Sequence, residues 1–149
     1  NTKDIKIEKI DSLIEISHGL WEGKLEVEIR EKWPSLLKNW HDKPEEVIMP
    51  EGESIQDVSQ RSIEAFDKIC LSQKDNDLTL LVAHDAVNKT LICKILGISC
   101  SNIWMIKQGN GGITVIDLFN DSSKAPVISA LNITTHLGGI FDSTASGAL

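Results

Sequence analysis

Residues 78–97 read LTLLVAHDAVNKTLICKILG, and this stretch decides the fold. Its first six residues form an apolar run that follows a cluster of turn residues at positions 75–77. A run of this length is typical of a strand buried on both faces, as in a parallel sheet. After Asp85 the apolar residues recur at helical spacing, and Gly97 stands where a helix C-cap is expected. The stretch therefore predicts a buried strand that runs directly into a helix.

His84 stands at the junction of this predicted strand and helix. Open α/β sheets bind ligands at the carboxyl ends of their strands, and the free N–H groups of a helix N-terminus favour anions. This position favours a general acid/base or a phosphate ligand, and a buried histidine bonded to a backbone carbonyl is the structural alternative. Apart from Asp85, no further ligand type follows His84 at metal-binding spacing, so we predict no metal site.

Length and composition predict a single domain. The chain has 149 residues, a net charge of −7 and no basic tract, which argues against a nucleic-acid partner or an anionic membrane surface. No segment has the apolar length of a membrane span. The three cysteines form no Cys-x-x-Cys pair, as is typical of reduced thiols, so we expect a cytoplasmic protein.

The remaining sequence predicts a helix and a hairpin. Ser54 is a good N-cap for a helix that extends to about Ser72. Residues 113–119 and 125–133 are predicted to form two antiparallel strands. The small, polar residues 134–149 are expected to form a mobile tail.

Two further positions are candidates for ligand chemistry. Glu15 lies among apolar neighbours, and partial desolvation of such a carboxyl would raise its pKa toward the range useful for proton transfer. An ordinary surface glutamate is the alternative. The turn at residues 109–112 precedes a strand rather than a helix, which argues against a dinucleotide loop, but Asn110 within it is a candidate ligand contact.

Several of these pieces together resemble the histidine phosphatase superfamily, which is phosphoglycerate-mutase-like. The matching pieces are LIE at 13–15, Gly19, WEG at 21–23, PEGES at 50–54, Arg61 and LVAH at 81–84. Their order and spacing agree with the family over most of the chain. Residues 82–88 and 132–136 look closest to cyanobacterial and plastid members, some of which are carboxyarabinitol-phosphate phosphatases. For a plant protein this implies the plastid stroma.

The resemblance implies an α/β fold, a three-layer α/β/α sandwich, and a phosphohistidine mechanism without a cofactor. Glu15 would then be the proton donor and His84 the second active-site histidine, which binds the transferring phosphoryl group. Backbone N–H groups after His84, at Asp85 and Ala86, would complete the anion pocket. Asp85 replaces a glycine of many members, and its carboxylate would repel phosphate or select against a carboxylated substrate. The substrate would be a small phosphorylated metabolite.

Two family features are missing from this sequence. The family's nucleophile is a histidine in an Arg-His-Gly segment on the first strand, and no Arg-His pair occurs among residues 1–149. Only Arg30 and Arg61 are present, whereas the family clamps phosphate with two arginines from regions not found here. We therefore expect a partial domain that lacks its N-terminal strand and helices and has little activity alone. Its expected partner is that N-terminal segment or a second copy; a non-catalytic interaction domain is the alternative.

Overall fold

The computed structural model describes residues 6–119, 121 and 123–138. Its helices are α1 (Glu26–Lys32), α2 (Pro34–Asp42), α3 (Ile55–Ser72) and α4 (Asp85–Leu96). Its strands are β1 (Ile113–Asp117) and β2 (Val127–Ile133). Short 3-10 turns connect these elements, including Asp11–Leu13, Gly19–Trp21 and Cys100–Met105. The described residues thus combine helices with a small sheet, as an α/β fold requires.

Helix α3 begins where its sequence predicts. The Ser54 hydroxyl accepts the backbone N–H of Asp57, and the Asp57 carboxylate accepts the backbone N–H of Ser54, so two free donors are satisfied. The apolar face of the helix packs on α4. Within this interface the hydroxyl groups of Ser62 and Thr90 hydrogen-bond at 3.1 Å, which satisfies two fully buried polar groups.

Helix α4 confirms the second half of the predicted unit. It begins at Asp85, directly after His84, and ends at Leu96, before Gly97, whose φ of 66° is the left-handed conformation of a C-cap. Most of its residues are buried, which includes the charged Lys89. The helix therefore passes through the core, with its N-terminus at the end of residues 78–83.

The prediction that residues 78–83 form a strand buried on both faces is wrong. Leu78, Leu80 and Val82 are 98%, 81% and 83% exposed, whereas Leu81 and Ala83 pack against the core. No backbone hydrogen bond joins residues 78–83 to another part of the described chain. The alternation of exposure is the period of a strand, but burial on both faces needs neighbouring strands, and the described residues provide none beside this segment.

The predicted hairpin is confirmed. Strands β1 and β2 pair antiparallel, with Ile113 opposite Ile133 and Asp117 opposite Val127. Two register irregularities interrupt the pairing, and Asn132 adopts a φ of 52° within this part of β2. Its side-chain oxygen accepts the backbone N–H of Gly109 at 2.8 Å, which fixes the turn before β1.

Of the expected mobile tail, residues 134–138 include the 3-10 turn Thr135–Leu137, and residues 139–149 lie outside the described residues.

Candidate active site

The Glu15 carboxylate bridges two parts of the chain. One oxygen accepts the backbone N–H of Ile16 at 2.9 Å, and the other accepts the backbone N–H of Asp85 at 3.0 Å. Asp85 is the first residue of α4, so its N–H is one of the free donors at a helix N-terminus. Glu15 is half-buried and occupies a place that is favourable for an anion.

Arg61 of α3 holds the loop that carries Glu15. Its guanidinium group donates to the backbone oxygens of Ser12 at 2.8 Å, Ile14 at 2.8 Å and Glu15 at 3.1 Å. The same group makes a bidentate pair with Glu53, at 2.8 and 2.9 Å. A bidentate guanidinium–carboxylate pair is rigid, so Arg61 fixes the backbone from which the Glu15 side chain projects.

Glu53 completes this clamp. Its carboxylate also accepts the backbone N–H of Ser17 at 2.9 Å, and the backbone N–H of Glu53 donates to the Ser17 carbonyl at 2.9 Å. The hydrogen bonds from Arg61 lower the pKa of Glu53 from its ordinary value, despite the opposing effect of burial. Ionised Glu53 therefore anchors Ser17, two residues after Glu15.

Two glycines permit the close approach of these loops. Gly19 has a φ of 53°, and a Cβ there would lie 2.2 Å from the Pro50 carbonyl oxygen. A Cβ on Gly52 would lie 2.4 Å from the Ser17 carbonyl oxygen. Since no side chain fits at either position, both glycines are needed to bring Glu53 against the Glu15 loop.

The structure brings together most of the predicted site residues. His84 caps α4 with its backbone, its carbonyl accepts the N–H of Asn88 at 2.9 Å, and its side chain is exposed. Glu15, Asp85 and Ala86 line one small cavity beside it. Asn110 is exposed in the turn before β1, and no described contact connects it to these residues. Asn110 therefore lies apart from the cluster.

The cavity has a volume of about 70 Å³. Lys89, only 7% exposed, lines it, and its ammonium lies 2.8 Å from the Asp85 carboxylate and 4.8 Å from the centre of the Trp104 ring. Asp85 and Lys89 are four residues apart on one face of α4, so this ion pair follows from helix geometry. The pair compensates the Asp85 charge that the resemblance implied would repel phosphate.

His18 forms another part of the cavity wall. Its ring packs edge-on against Trp40, with ring centres 6.1 Å apart. Burial lowers the pKa of His18 from its ordinary value of 6.5, although Glu15 and Glu22 act in the opposite direction. Its Nδ1 is buried without a hydrogen-bond partner among the described residues. A buried polar atom without a hydrogen-bond partner costs on the order of 1–3 kcal/mol of folding free energy. This cost points to a functional role for His18.

The sequence alone does not identify His18 or Lys89 as site residues, and Arg61 stands in it only as part of the family resemblance. The signal for Lys89 was its spacing of four from Asp85, but a lysine is seldom buried, so its place in the cavity was not predictable. The signal for Arg61 was a charge on the otherwise apolar face of α3.

The arrangement defines a class of site: a carboxyl group at the N-terminus of a helix, suited to an anion whose reaction needs a proton. Across residues 6–119, 121 and 123–138 there is no cluster of three or more His, Cys, Asp or Glu side chains that could hold a metal ion. In the same residues no helix combines the length and apolar character needed to cross a membrane.

Comparison with known proteins gives the family. The model of the histidine phosphatase superfamily (branch 1) matches residues 1–134, so the chain belongs to this superfamily. Phosphoserine phosphatase 1 of Hydrogenobacter thermophilus is 32% identical over 139 residues, which are 93% of this chain and 64% of that protein. The 2-carboxy-D-arabinitol-1-phosphatase of Triticum aestivum is 25% identical over 89% of this chain and 26% of its own length.

Solved structures support the same fold. Phosphoserine phosphatase from Entamoeba histolytica, solved with phosphoserine, superposes with a TM-score of 0.69 at 26% identity, over 90% of this chain and 66% of that one. The fold is therefore the phosphoglycerate-mutase-like α/β fold predicted from the sequence. The chain spans less than two thirds of the length of these relatives. A special closeness to cyanobacterial and plastid members stays a prediction.

Proposed function

We propose that this chain provides the acid/base and anion-binding part of a phosphatase that hydrolyses a small phosphomonoester through a phosphohistidine. The hydrogen bond between the Glu15 carboxylate and the Asp85 N–H supports the proposal most directly, because under it the carboxyl that would transfer the proton lies beside the helix N-terminus that would bind the phosphoryl group. Phosphoserine is the first substrate to test, since phosphoserine phosphatases are among the relatives.

The reaction would proceed in two steps. In the first, a histidine nitrogen attacks phosphorus, the ester P–O bond breaks, and the Glu15 carboxyl group gives its proton to the leaving oxygen. In the second, the Glu15 carboxylate takes a proton from water, the water oxygen attacks phosphorus, and the P–N bond breaks to release phosphate. His84 and the Asp85 and Ala86 N–H groups would stabilise the negative charge on the equatorial oxygens.

The attacking histidine would come from a segment outside these residues, and a cleft offers it a place. Residues 78–81 form one wall of this cleft and β1 part of another, around a volume of about 780 Å³. This volume is many times the roughly 30 Å³ that one water molecule occupies in the liquid, so the cleft has room for a segment of chain. A strand parallel to residues 78–83 would end beside His84 and Glu15, where the nucleophile is needed.

One observation favours the alternative of a non-catalytic interaction domain. Both arginines of the chain have structural partners: Arg30 pairs with Glu26, and Arg61 binds Glu53 and three backbone oxygens. Neither is therefore placed to clamp a phosphoryl group. Under our proposal the cationic donors arrive with the missing nucleophile segment.

A complementation assay with p-nitrophenyl phosphate and phosphoserine tests the proposal. The chain would be assayed alone and fused behind the N-terminal segment of the Hydrogenobacter thermophilus relative. We expect little turnover alone and at least about a hundredfold more in the fusion, because nucleophile and acid then act together. His84→Ala and Glu15→Gln should each abolish this gain.

Matched variants decide between the two functions. His41→Ala changes a histidine on the exposed side of α2 and should leave turnover of the fusion intact. Turnover that survives His84→Ala would contradict the assigned site. A folded fusion that binds no phosphate and has no turnover would favour the interaction domain.

A further inference from the structure

The small cavity beside Glu15 combines opposite charges, one on the buried Lys89 and one on the partly buried Asp85. Asp85 provides a carboxylate and Lys89 an ammonium, 2.8 Å apart, and both residues line the cavity. Lys89 has three N–H donors, of which one goes to Asp85. An aromatic ring, Trp104, lies against the same ammonium. A fixed ion pair of this kind is the complement of a group that itself carries both charges.

Three residues of the cavity wall each have a buried polar atom without a partner among the described residues. Asp85 Oδ1 and His18 Nδ1 can accept a hydrogen bond, and Trp40 Nε1 can donate one. Buried polar atoms in folded proteins are normally paired, so this mixed set points to an occupant with both donors and acceptors.

The cavity also lies next to the position proposed for the phosphoryl group. The backbone N–H of Asp85 points to the carboxylate of Glu15, where the proposed phosphoryl group binds, and the side chain of the same residue lines the cavity. A ligand with about two or three atoms between its phosphate and a second polar group would therefore reach both the Asp85 N–H and the cavity. A volume of about 70 Å³ exceeds that of one or two water molecules.

We propose that this cavity binds the zwitterionic head of an amino-acid phosphomonoester, with Asp85 facing its ammonium and Lys89 facing its carboxylate. This inference rests on the proposed function and names its substrate class and two specificity-determining residues. Neither Asp85 nor Lys89 takes part in bond breaking; they position the substrate by charge. The contribution of each should appear only with ligands that carry the matching charge.

Binding of four phosphates to the Glu15→Gln variant of the fusion, followed by NMR, tests this assignment, because the fusion supplies the cationic donors and this variant should not turn the ligands over. O-phosphoserine carries both charges, O-phosphoethanolamine lacks the carboxylate, 3-phosphohydroxypropionate lacks the ammonium, and ethyl phosphate lacks both. We expect O-phosphoserine to bind about tenfold more tightly than either singly charged ligand, and ethyl phosphate to bind weakest, since each charge-assisted contact is worth about a factor of ten. The His18 ring signals should shift with O-phosphoserine.

Two isosteric variants separate the two contacts. Asp85→Asn should remove the advantage of ligands with an ammonium, and Lys89→Met the advantage of ligands with a carboxylate. Asp42→Asn is the matched control, because Asp42 and Lys38 form the same four-residue ion pair on the exposed side of α2. Equal binding of all four phosphates to the fusion with Asp85 and Lys89 intact would overturn the zwitterion assignment alone. Absence of binding by every phosphate would instead overturn the proposed function.

Discussion

The Glu15 carboxylate lies 3.0 Å from the backbone N–H of Asp85, a residue 70 positions further along the chain. This hydrogen bond joins the loop before Gly19 to the first turn of α4. It places the proposed proton donor where a helix N-terminus attracts negative charge. A phosphoryl group that binds at the same N–H groups would therefore meet the Glu15 carboxyl at its leaving oxygen.

Arg61 should be essential for the Glu15 loop. Arg61→Ala removes the partner of a Glu53 carboxylate that is only 26% exposed and leaves three backbone oxygens unpaired. We expect the free energy of unfolding to fall by about 2–3 kcal/mol, measured by urea denaturation. Arg30→Ala is the control: its exposed pair with Glu26 should matter by at most about 0.5 kcal/mol. Equal effects of the two variants would contradict the clamp.

Gly19 and Gly23 offer a matched pair of backbone tests. Both have positive φ, 53° and 71°, but only at Gly19 would a Cβ meet backbone atoms. Gly23→Ala should cost about 1 kcal/mol of stability from conformation alone. Gly19→Ala should cost about 2 kcal/mol more, because the Pro50 loop must move. Thermal unfolding of the two variants measures the difference. Similar melting temperatures would show that the Pro50 loop moves to accommodate the added Cβ without a cost in stability.

Stability should depend on the titration of His18. Because burial lowers the pKa of His18 in the folded state, the unfolded chain takes up a proton first as the pH falls below 6.5. The contribution of His18 to the free energy of unfolding is therefore full above this pH and declines below it. His18→Gln should flatten the decline between pH 7 and 5, measured by urea denaturation at each pH.

The matched variant for this titration is Glu22→Gln. It removes a carboxylate that raises the pKa of His18, so the decline in stability below pH 6.5 should become steeper. An unchanged slope in both variants would show that His18 is not the group responsible.

The exposed residues 78–82 should cause self-association. Leu78, Leu80 and Val82 present apolar side chains next to a cleft, and exposed strand-like segments pair with other chains. Leu80→Lys should shift the chain toward the monomer in analytical ultracentrifugation. Leu25→Lys changes a leucine that is 69% exposed away from the cleft and should leave association unchanged. A monomeric parent chain would contradict this prediction.

Local signals in the sequence predicted several elements correctly. The Ser54 cap and Gly97 set the limits of two helices, and alternating residues set the hairpin, because these features depend on nearby backbone geometry. The resemblance located Glu15 and His84 from short motifs. The burial of residues 78–83 was predicted wrongly, because burial depends on neighbouring strands and not on the apolar run itself.

The sequence by itself determined the family, the helix that starts after His84, and the carboxyl at position 15. These follow from residue order and from interactions within a few positions. Only the tertiary structure decided that Arg61 and Glu53 hold Glu15, and that His18 meets Asp85 and Lys89 around one cavity. Such contacts join residues far apart in the chain, and the close packing that creates them is a property of the whole core.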